Sequence, residues 1–427
     1  MHYFQYRKNE LYCETVRVRD IAEQVGSPFY LYSNRTLIEH YNKIRDAFRP
    51  IRPLICFSMK SNSNLSVCRS LVKAGAGLDI VSGGELFKAI KVKAEPKKIV
   101  YASVGKTAME IDRALRTNIL FFNVESIPEL IMIEKLCARN GKRANISVRL
   151  NPGVDAHTHK YITTGTNQNK FGIDTDTVYR IFLQYERFPH LDIRGLHVHI
   201  GSQITESKPF IQAIKKASSV IQRLRAQGHC IDYLNIGGGL GIVYHKEKPQ
   251  TAAQFAKAVI PLIKRLKVKL ILEPGRFISG NSGILVTRVI HVKKAPAKNF
   301  MIIDAAMNDL MRPSLYGAYH DILPVTRRSL PVSRKVSRGV RKKFDIVGPI
   351  CESGDFLAKD RLMHEPREGD YLAVMSAGGY GFSMSSNYNA RPRCAEVMVI
   401  NGKWYITRKR ESYDDLIRGE SIPGLLR

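Results

Sequence analysis

Short apolar runs recur through the middle of the chain and are separated by longer segments with the spacing of amphipathic helices. Eight runs follow one another over about 220 residues: LICFS (54–58), GLDIVS (77–82), KIVYAS (98–103), ILFFNV (119–124), NISVRL (145–150), RGLHVHI (194–200), DYLNIG (232–237) and VKLILE (268–273). Segments between them, such as SVCRSLVKAG and SIPELIMIEKLCARNGK, have helical spacing and glycine stops. Eight strands that alternate with helices predict a (β/α)8 barrel. The doubly wound α/β alternative needs a glycine-rich turn after the first strand, and the sequence has none there.

The pattern changes after about residue 280, where helical spacing becomes scarce. The runs GILVTRVIHV, NFMIIDAA, FDIVG, DYLAVMSA and AEVMVINGKWYIT are typical of strands, and Asn401-Gly402 in the last run is a two-residue hairpin signal. Near the amino terminus, YFQY and ELYCE are expected to add strands to this part. We therefore predict an α/β chain with a TIM-like barrel over residues 30–275. A second β-rich domain, a β-barrel or sandwich, is predicted to combine residues 1–29 and 276–427.

The composition is that of a globular protein, with 44% hydrophobic and 25% charged residues among 427. We find no apolar stretch of about 18 residues, so no membrane span is expected, and the polar first twenty residues do not resemble a secretory signal. The seven cysteines are scattered and form no C-x-x-C pair, which indicates neither a zinc site nor a disulfide framework. A reducing cytoplasm fits this pattern best.

The chain is strongly basic, with a formal net charge of +29. Lysine and arginine are spread along the chain rather than clustered with aromatic residues, so nucleic acid is not an expected partner. One dense run, RRSLPVSRKVSRGVRKK (327–343), holds eight basic residues and no acid. We interpret it as a solvated loop, with a rim that steers the substrate and a contact for a polyanion as the alternatives.

Barrel enzymes bind substrates at the carboxyl ends of their strands, and polar residues gather there in this sequence. In strand order they are Lys60 in FSMKSN, Asp79, His197, His199 and Ser202 in HVHIGS, Gly237-Gly238-Gly239, and Glu273-Pro274-Gly275-Arg276. Because these positions share one rim, residues far apart in the sequence are expected to converge.

Each of these features has an ordinary interpretation when taken alone. A lysine at a strand end is usually a solvated charge, and a triple glycine can be a plain tight turn. If the turn instead binds an anion, its main-chain N–H groups would donate hydrogen bonds to the anion. The dipole of a helix expected after the turn would also favour the negative charge. It is neither a Walker motif nor a dinucleotide fingerprint, because the required lysine and third spaced glycine are missing. His197 and His199 share a face of their strand and could be a metal pair, a stacking imidazole or core histidines.

Together these features match one cofactor, pyridoxal 5′-phosphate. Its aldehyde can form an imine with Lys60, and its phosphate suits the glycine turn. Its ring face suits His199, and its pyridinium nitrogen needs a carboxylate, which Glu273 supplies.

Eight motifs, some of which contain the residues above, carry a resemblance to a known family: FSMKSN, GLDIVSGGEL, HVHIGSQI, NIGGGLG, EPGR, MRPSLYGAYH, GPICESGDFLAKDR and GGYGFSMSSNYN. In this order they resemble the diaminopimelate decarboxylases, which belong to the alanine-racemase-like class of pyridoxal-phosphate enzymes. The similarity runs from AEQVGSPFYLYS to ESYDDLIRGE, nearly the whole chain. It implies a barrel with a β domain and the decarboxylation of meso-2,6-diaminopimelate to L-lysine and CO2, the last step of lysine biosynthesis.

The resemblance also implies a role for each matching residue. It makes Lys60 the Schiff-base lysine and His199 the stacking imidazole, and it makes Cys351 the acid that protonates the intermediate. The implied cofactor-binding residues are Lys60, Asp79, His199, Ser202, Gly238, Gly239, Glu273, Gly275, Arg276 and Tyr380. The implied substrate-binding residues are Arg276, Arg312, Tyr316, Glu352 and Tyr380. The family implies a homodimer in which the CESGD segment of the partner subunit completes the active site.

Three alternatives stay open at this point. A related pyridoxal-phosphate decarboxylase would act on arginine, ornithine or carboxynorspermidine, although a distal carboxylate on the substrate best explains Arg312. A non-catalytic carrier of the cofactor would be expected to lack Lys60, Cys351 or the β domain. A polyanion-binding protein is suggested by the net charge alone.

Overall fold

A computed structural model of the chain describes residues 2–155, 170–327 and 341–426. The strands in these ranges are β1 (Phe4–Arg7), β2 (Glu10–Cys13), β3 (Val16–Arg17), β4 (Phe29–Ser33), β5 (Leu54–Ser58), β6 (Gly77–Ile80), β7 (Ile99–Ala102), β8 (Phe121–Val124), β9 (Ala144–Arg149), β10 (Leu191–His197), β11 (Tyr233–Asn235), β12 (Lys269–Leu272), β13 (Gly283–Lys294), β14 (Asn299–Ile303), β15 (Ile322–Pro324), β16 (Lys342–Val347), β17 (Phe356–Met363), β18 (Tyr371–Val374), β19 (Ala395–Ile400) and β20 (Lys403–Arg408). The helices are α1 (Val18–Val25), α2 (Asn34–Ala47), α3 (Leu65–Lys73), α4 (Gly83–Lys91), α5 (Ala108–Thr117), α6 (Ile127–Asn140), α7 (Thr175–Leu183), α8 (Lys208–Ala226), α9 (Ala252–Leu266), α10 (Arg276–Ser279), α11 (Arg312–Tyr316) and α12 (Tyr413–Leu416).

The chain divides into two compact units. One is Leu37–Ser279, and the other combines Met1–Thr36 with Gly280–Arg427. The prediction starts the barrel domain at residue 30, but residues 30–36 lie in the second unit because β4 pairs with β13 and β19 there. Most of the basic run at 327–343 lies outside the described residues, which leaves out 328–340.

The first unit is a closed barrel of eight parallel strands, which confirms the predicted fold class. The strands β5 to β12 follow one another around it, and β12 closes it by pairing with β5. Val, Ile, Leu and Phe side chains from these strands are buried, as expected for parallel strands covered on both faces. Pairing of Ser58 with Asp79 brings the carboxyl ends of β5 and β6 level.

The helices between barrel strands begin and end at residues that satisfy their free backbone groups. Thr107 and Glu110 form a capping box at the start of α5, and Asn118 ends that helix in the left-handed conformation. Ser126 caps α6, which ends at left-handed Gly141. Among the described residues, no helix is long and apolar enough to cross a membrane.

The second unit is built around a nine-stranded sheet, so the prediction of a β-rich domain is also confirmed. Its strand order is β17-β16-β14-β13-β4-β19-β20, with β18 paired to β13 and β15 paired to β18. Asn401 and Gly402 both have positive φ angles, 50° and 77°, and they connect β19 to β20 as the hairpin signal predicts. The amino-terminal strands β1, β2 and β3 do not enter this sheet. They form their own three-stranded sheet in the same unit, bridged to it at Glu10 and Thr326.

Candidate active site

Lys60 lies at the carboxyl end of the first barrel strand, in the turn Met59–Ser61 that follows β5. Its Nζ lies 3.7 Å from Asp79 Oδ2, and 38% of its side-chain surface is exposed. Asp79 Oδ2 also accepts a 2.6 Å hydrogen bond from Ser58 Oγ. The amine is therefore accessible to a ligand while it lies beside the buried carboxyl group of Asp79.

Asp79 is the less ionised of two carboxyl groups in this end of the barrel. Burial, followed by the negative charge of Glu273, raises the pKa of Asp79 to about 8, although Lys60 and the Ser58 hydrogen bond oppose the rise. Its Oδ1 is buried and has no hydrogen-bond partner within the described ranges. Asp79 therefore keeps its proton near neutral pH unless a further positive charge arrives.

Glu273, which directly follows β12, is the more ionised of the two. Its Oε1 accepts hydrogen bonds from Asn235 Nδ2 at 2.5 Å and from Asn123 Nδ2 at 3.1 Å. Its Oε2 lies 3.3 Å from His197 Nε2. Burial alone would raise the pKa of Glu273, but His197, Lys60 and the Asn235 hydrogen bond outweigh burial and lower it. A buried, negatively charged oxygen therefore faces the barrel end.

The triple glycine forms a turn that no other residue could form without moving its neighbours. Gly237 and Gly239 have φ angles of 68° and 104°, and a Cβ at Gly238 would overlap the main-chain O of Glu273. The helix expected directly after the turn is absent, because residues 240–251 are not helical and α9 begins only at Ala252. The predicted helix dipole is therefore wrong, and an anion at this turn would be held by main-chain amides.

His199 lies beyond the end of β10, which stops at His197, and its ring contacts the glycine turn. Its Nδ1 accepts a hydrogen bond from the Gly238 N–H at 3.3 Å, which leaves the proton on Nε2. Burial and the nearby positive charges of Lys60 and Arg149 lower the pKa of His199 well below its usual range. His199 is therefore a neutral imidazole. No group of three metal-ligating side chains occurs among residues 2–155, 170–327 and 341–426.

Arg276 and Ser202 are tied together beside the turn. Arg276 donates from Nε and Nη2 to Ser202 Oγ, at 3.3 and 3.1 Å, and from Nη1 to Tyr244 Oη at 2.6 Å. A Cβ at Gly275 would lie 3.2 Å from Ser58 Cβ, so this glycine lets the end of β12 approach the end of β5. The predicted barrel residues thus gather around one group of strand ends.

The remaining predicted residues lie in the β unit. Arg312 begins α11 and is buried, and its Nη1 lies 2.9 Å from His320 Nε2. The other ring nitrogen of His320, Nδ1, lies 2.8 Å from Met375 O and donates to it. His320 Nε2 is therefore the acceptor that holds the Arg312 guanidinium. Tyr316 is the last residue of the same helix, before left-handed Gly317.

Cys351 and Glu352 are exposed on the loop between β16 and β17. Asp355 holds this loop by accepting hydrogen bonds from the Met307 and Ile350 N–H groups at 2.7 and 2.8 Å. Ser314 Oγ of α11 donates to Gly354 O at 2.6 Å, so the loop and the helix that carries Arg312 are joined.

Tyr380 stands in the left-handed region, with a φ angle of 57°, which is uncommon for an aromatic residue. Such backbone strain persists only where neighbouring structure enforces it. Next to it, a Cβ at Gly381 would overlap the main-chain O of Ala377 and lie 2.7 Å from the Tyr30 ring. The conformation of the Tyr380 segment is therefore imposed by close packing in the β unit.

Sequence reasoning missed Asn123, Asn235, Tyr244 and Ser58 in the barrel and His320 in the β unit. A signal for the two asparagines was present, because each is a polar residue in the apolar run of its strand, ILFFNV or DYLNIG. Tyr244 and His320 carry no such signal, since each is recognisable only from the arginine that it contacts.

Comparison with known proteins supports the resemblance seen in the sequence. Residues 34–280 match the family model described as "Pyridoxal-dependent decarboxylase, pyridoxal binding domain". The chain is 46% identical to the diaminopimelate decarboxylase of Vibrio cholerae over 424 residues, which covers 99% of both chains. The crystal structure of diaminopimelate decarboxylase from Helicobacter pylori complexed with L-lysine is 38% identical, with a TM-score of 0.89, and the match covers 94% of this chain and 98% of that one. The structure of diaminopimelate decarboxylase from M. jannaschii in co-complex with L-lysine is 35% identical, with a TM-score of 0.92 and 99% of both chains covered.

The relatives therefore span the barrel and the β unit alike, at identities well above those that indicate a shared fold alone. The resemblance to the decarboxylases is confirmed. The chain belongs to the diaminopimelate decarboxylase family of pyridoxal-dependent decarboxylases.

Proposed function

We propose that this protein decarboxylates meso-2,6-diaminopimelate to L-lysine and CO2, with pyridoxal 5′-phosphate as its cofactor. One observation carries the proposal. Lys60, the glycine turn and an ionised Glu273 lie at the same end of the barrel, in a chain that aligns over its full length with diaminopimelate decarboxylases.

The residues of the barrel end fit this cofactor. The side-chain-free turn at Gly237–Gly239 lets a phosphate approach the main chain closely, and the buried Glu273 carboxylate suits a protonated ring nitrogen. When bound, pyridoxal 5′-phosphate supplies an electron-withdrawing ring that takes up the electron pair left at Cα as CO2 departs.

Each barrel residue has a separate task in this proposal. Lys60 Nζ would bind the aldehyde carbon, with the protonated Asp79 carboxyl group beside it. Gly238, Gly239 and Ser202 Oγ would hold the phosphate, for which the Gly238 N–H would exchange its bond to His199 Nδ1 for one to a phosphate oxygen. The neutral His199 ring would stack on the cofactor ring, where a positive imidazolium would oppose the pyridinium charge. Gly275 leaves room at the strand end, and Arg276 contacts both cofactor and substrate.

The substrate carries an amino group and a carboxylate at its far end, and the β unit offers partners for both. Arg312 presents a planar fork of N–H donors that matches a carboxylate, and Tyr316 adds a hydroxyl. Glu352 binds the distal amino group, and Tyr380 contacts substrate and cofactor. This set explains a preference for diaminopimelate over lysine, which has no distal carboxylate.

Decarboxylation breaks the bond between Cα and its carboxylate carbon and must form a new Cα–H bond. Cys351 Sγ donates that proton to Cα as a general acid. The thiol is exposed, so a substrate can reach it.

We further propose a homodimer in which Cys351 and Glu352 of the partner subunit complete each barrel site. Their exposure on the loop between β16 and β17 supports this arrangement. The cytoplasm is the proposed location, since all seven cysteines are described and each is a free thiol.

The test measures CO2 release from diaminopimelate, ornithine, arginine and carboxynorspermidine by the purified holoenzyme. We expect diaminopimelate to give by far the largest kcat/KM, and a preference for ornithine or arginine would overturn the substrate assignment. Lys60→Ala should abolish both the visible absorbance of the bound cofactor and CO2 release. A Lys60→Ala protein that keeps both would overturn the role of this lysine. Lys88→Ala is the matched control, because Lys88 Nζ bonds only Ser63 Oγ within the described contacts.

A further inference from the structure

Glu273 can pair with a protonated ring nitrogen only as a negatively charged carboxylate. Its burial, however, disfavours that charged form. Its side chain is 4% exposed, and transfer of a carboxylate out of water favours the neutral acid. The groups around Glu273 must therefore stabilise the charged carboxylate, as water does for an exposed one. The groups that touch its two oxygens are side chains from three other barrel strands.

We propose that Asn123, Asn235 and His197 are positioning residues that hold the Glu273 carboxylate in its charged form and in a single orientation. This inference rests on the proposed function only where it assigns Glu273 to the ring nitrogen of the cofactor. The contacts themselves belong to the cofactor-free barrel.

Asn235 has its amide orientation fixed by its other neighbour. Its Oδ1 accepts a 2.9 Å hydrogen bond from the Gly237 N–H, which can only donate. The amide nitrogen must then face Glu273 Oε1, at 2.5 Å, and cannot exchange places with the oxygen. One side chain thus connects the carboxylate to the first residue of the glycine turn.

Asn123 supplies the second hydrogen-bond donor to Glu273, and it does so at some loss of folding stability. Its Nδ2 lies 3.1 Å from Glu273 Oε1, while its own Oδ1 is buried and has no partner within the described ranges. An apolar residue would avoid the unpaired oxygen, and barrel interiors are ordinarily filled by branched apolar side chains. The main-chain O of Asn123 also accepts a bond from the buried Lys106 Nζ, which fixes the end of β8.

His197 faces the other carboxylate oxygen. Its Nε2 lies 3.3 Å from Glu273 Oε2, and neither of its ring nitrogens forms a hydrogen bond in the described part of the chain. A proton on Nε2 directs an N–H dipole at Glu273 Oε2.

Other charged and titratable groups also act on Glu273, and the test must separate them from the three positioning residues. They are Lys60 after β5, Cys56 in β5, Asp79 in β6 and His199 after β10. Lys60 favours the charged carboxylate, as do the three positioning residues. Asp79 is held protonated near neutral pH and so adds little repulsion.

The experiment follows the Glu273 carboxyl carbon by 13C NMR in cofactor-free protein labelled at glutamate, with Glu273→Gln to identify the signal. We expect the wild-type signal to remain that of a carboxylate from pH 5 to pH 9. Asn235→Asp is the sharpest variant, because it keeps the acceptor for Gly237 but removes the donor to Glu273. Its titration midpoint should rise by at least about one pH unit, and that of Asn123→Leu by less.

A pair of substitutions at His197 keeps the proposal testable if Asn235→Asp does not fold. His197→Leu should raise the midpoint, whereas His197→Gln, which can still donate to Oε2, should restore it. Asn145→Leu is the matched control, since Asn145 Nδ2 donates to Leu120 O at the amino end of the barrel strands. In the holoenzyme, Asn123→Leu should lower kcat about tenfold with KM nearly unchanged.

Two results would overturn the inference. One is a wild-type Glu273 that is already protonated at pH 6, and the other is a set of variants whose Glu273 titrates as in the wild type. Because the titration needs neither cofactor nor substrate, it can fail while the protein still decarboxylates diaminopimelate. Equally, it can succeed in a protein that prefers another substrate.

Discussion

Asp79 and Glu273 show how two buried carboxyl groups in one barrel end acquire opposite protonation. Glu273 has two amide donors on one oxygen and an imidazole at the other, so its pKa is lowered despite burial. Asp79 has one hydroxyl donor and an amine 3.7 Å away, which do not compensate for its burial and for the charge of Glu273. The neighbouring charges and hydrogen bonds, rather than burial alone, decide which group is charged.

Asp79 gives a prediction for the pH dependence of stability. Its folded pKa of about 8 lies above the ordinary value of 3.8, so the folded protein keeps a proton that the unfolded chain releases between these values. Stability of the cofactor-free protein should therefore fall as the pH rises through this window. Asp79→Asn removes the titrating group and should flatten the curve, by up to about 1.4 kcal/mol per pH unit. Urea unfolding between pH 5 and pH 8 measures the effect, and parallel curves for the two proteins would contradict it.

The residue scale is also where sequence reasoning was least complete. Lys60, Asp79, the triple glycine and Glu273 could be singled out because their types are unusual at strand ends. Asn123 and Asn235 could not be assigned a task, because their value depends on which carboxylate oxygen they reach across the barrel. Such contacts follow from strand stagger, which the pattern of apolar residues does not specify.

At the scale of elements, the eight barrel strands were predictable because buried parallel strands are apolar throughout. The strand β17 was missed. Its residues Lys359, Asp360 and Arg361 interrupt the apolar run, and Asp360 has a positive φ of 49° at an irregularity in the pairing. Among the described strands, β17 is the last in the sheet order and pairs along one edge, and charged residues and bulges are common in such edge strands.

The contact between His320 and Arg312, the first residue of α11, provides a test of substrate specificity. His320 accepts a hydrogen bond from Arg312, so His320→Phe would leave that buried donor without its acceptor and let the guanidinium turn. We expect KM for diaminopimelate to rise about tenfold or more while kcat changes little. Steady-state kinetics measure both. His320→Gln, which keeps an acceptor, should recover most of the loss.

The exposed His364 of the same unit provides the control for that test. His364→Phe should leave KM unchanged. If His320→Phe instead lowers kcat alone, the histidine supports the reaction step and not the distal carboxylate.

For the whole molecule, a mixed dimer tests whether two chains share each active site. Lys60→Ala and Cys351→Ala chains with different tags are co-expressed, and dimers that carry both tags are isolated. If Cys351 of the partner subunit serves each barrel, one site of the mixed dimer is intact, and activity should be about half that of the wild type. If each chain is self-contained, the mixed dimer should be inactive.

The positive control pairs Lys60→Ala with Cys230→Ala. Cys230 is exposed in the barrel unit, 3.3 Å from Asp232, and has no role in the proposed reaction. That mixed dimer should retain about half of the activity in either arrangement. An inactive control would mean that the Lys60→Ala chain disables its neighbour.

The net charge of the whole molecule could be counted from the sequence, but its function could not be inferred from it. A net charge of +29 is a property of the surface, and the same net charge is compatible with solubility, with attraction of anions or with no partner at all.

The bounds of the β unit could be predicted from the sequence only in part. Its discontinuity in the chain was predicted from the apolar runs, whereas β4 had to be seen paired before residues 30–36 could be assigned to that unit.

The division of the β unit between the two parts of the chain has a consequence for synthesis. Strand β4 is buried at every residue, yet β13, with which it pairs, is translated roughly 250 residues later, which takes about 12–50 s at 5–20 residues per second. The barrel, meanwhile, emerges from the ribosome as one continuous stretch. Each newly synthesised chain therefore carries an apolar segment that has to be kept from aggregating until its pairing strand has been made, and the number of residues between β4 and β13 sets how long that takes.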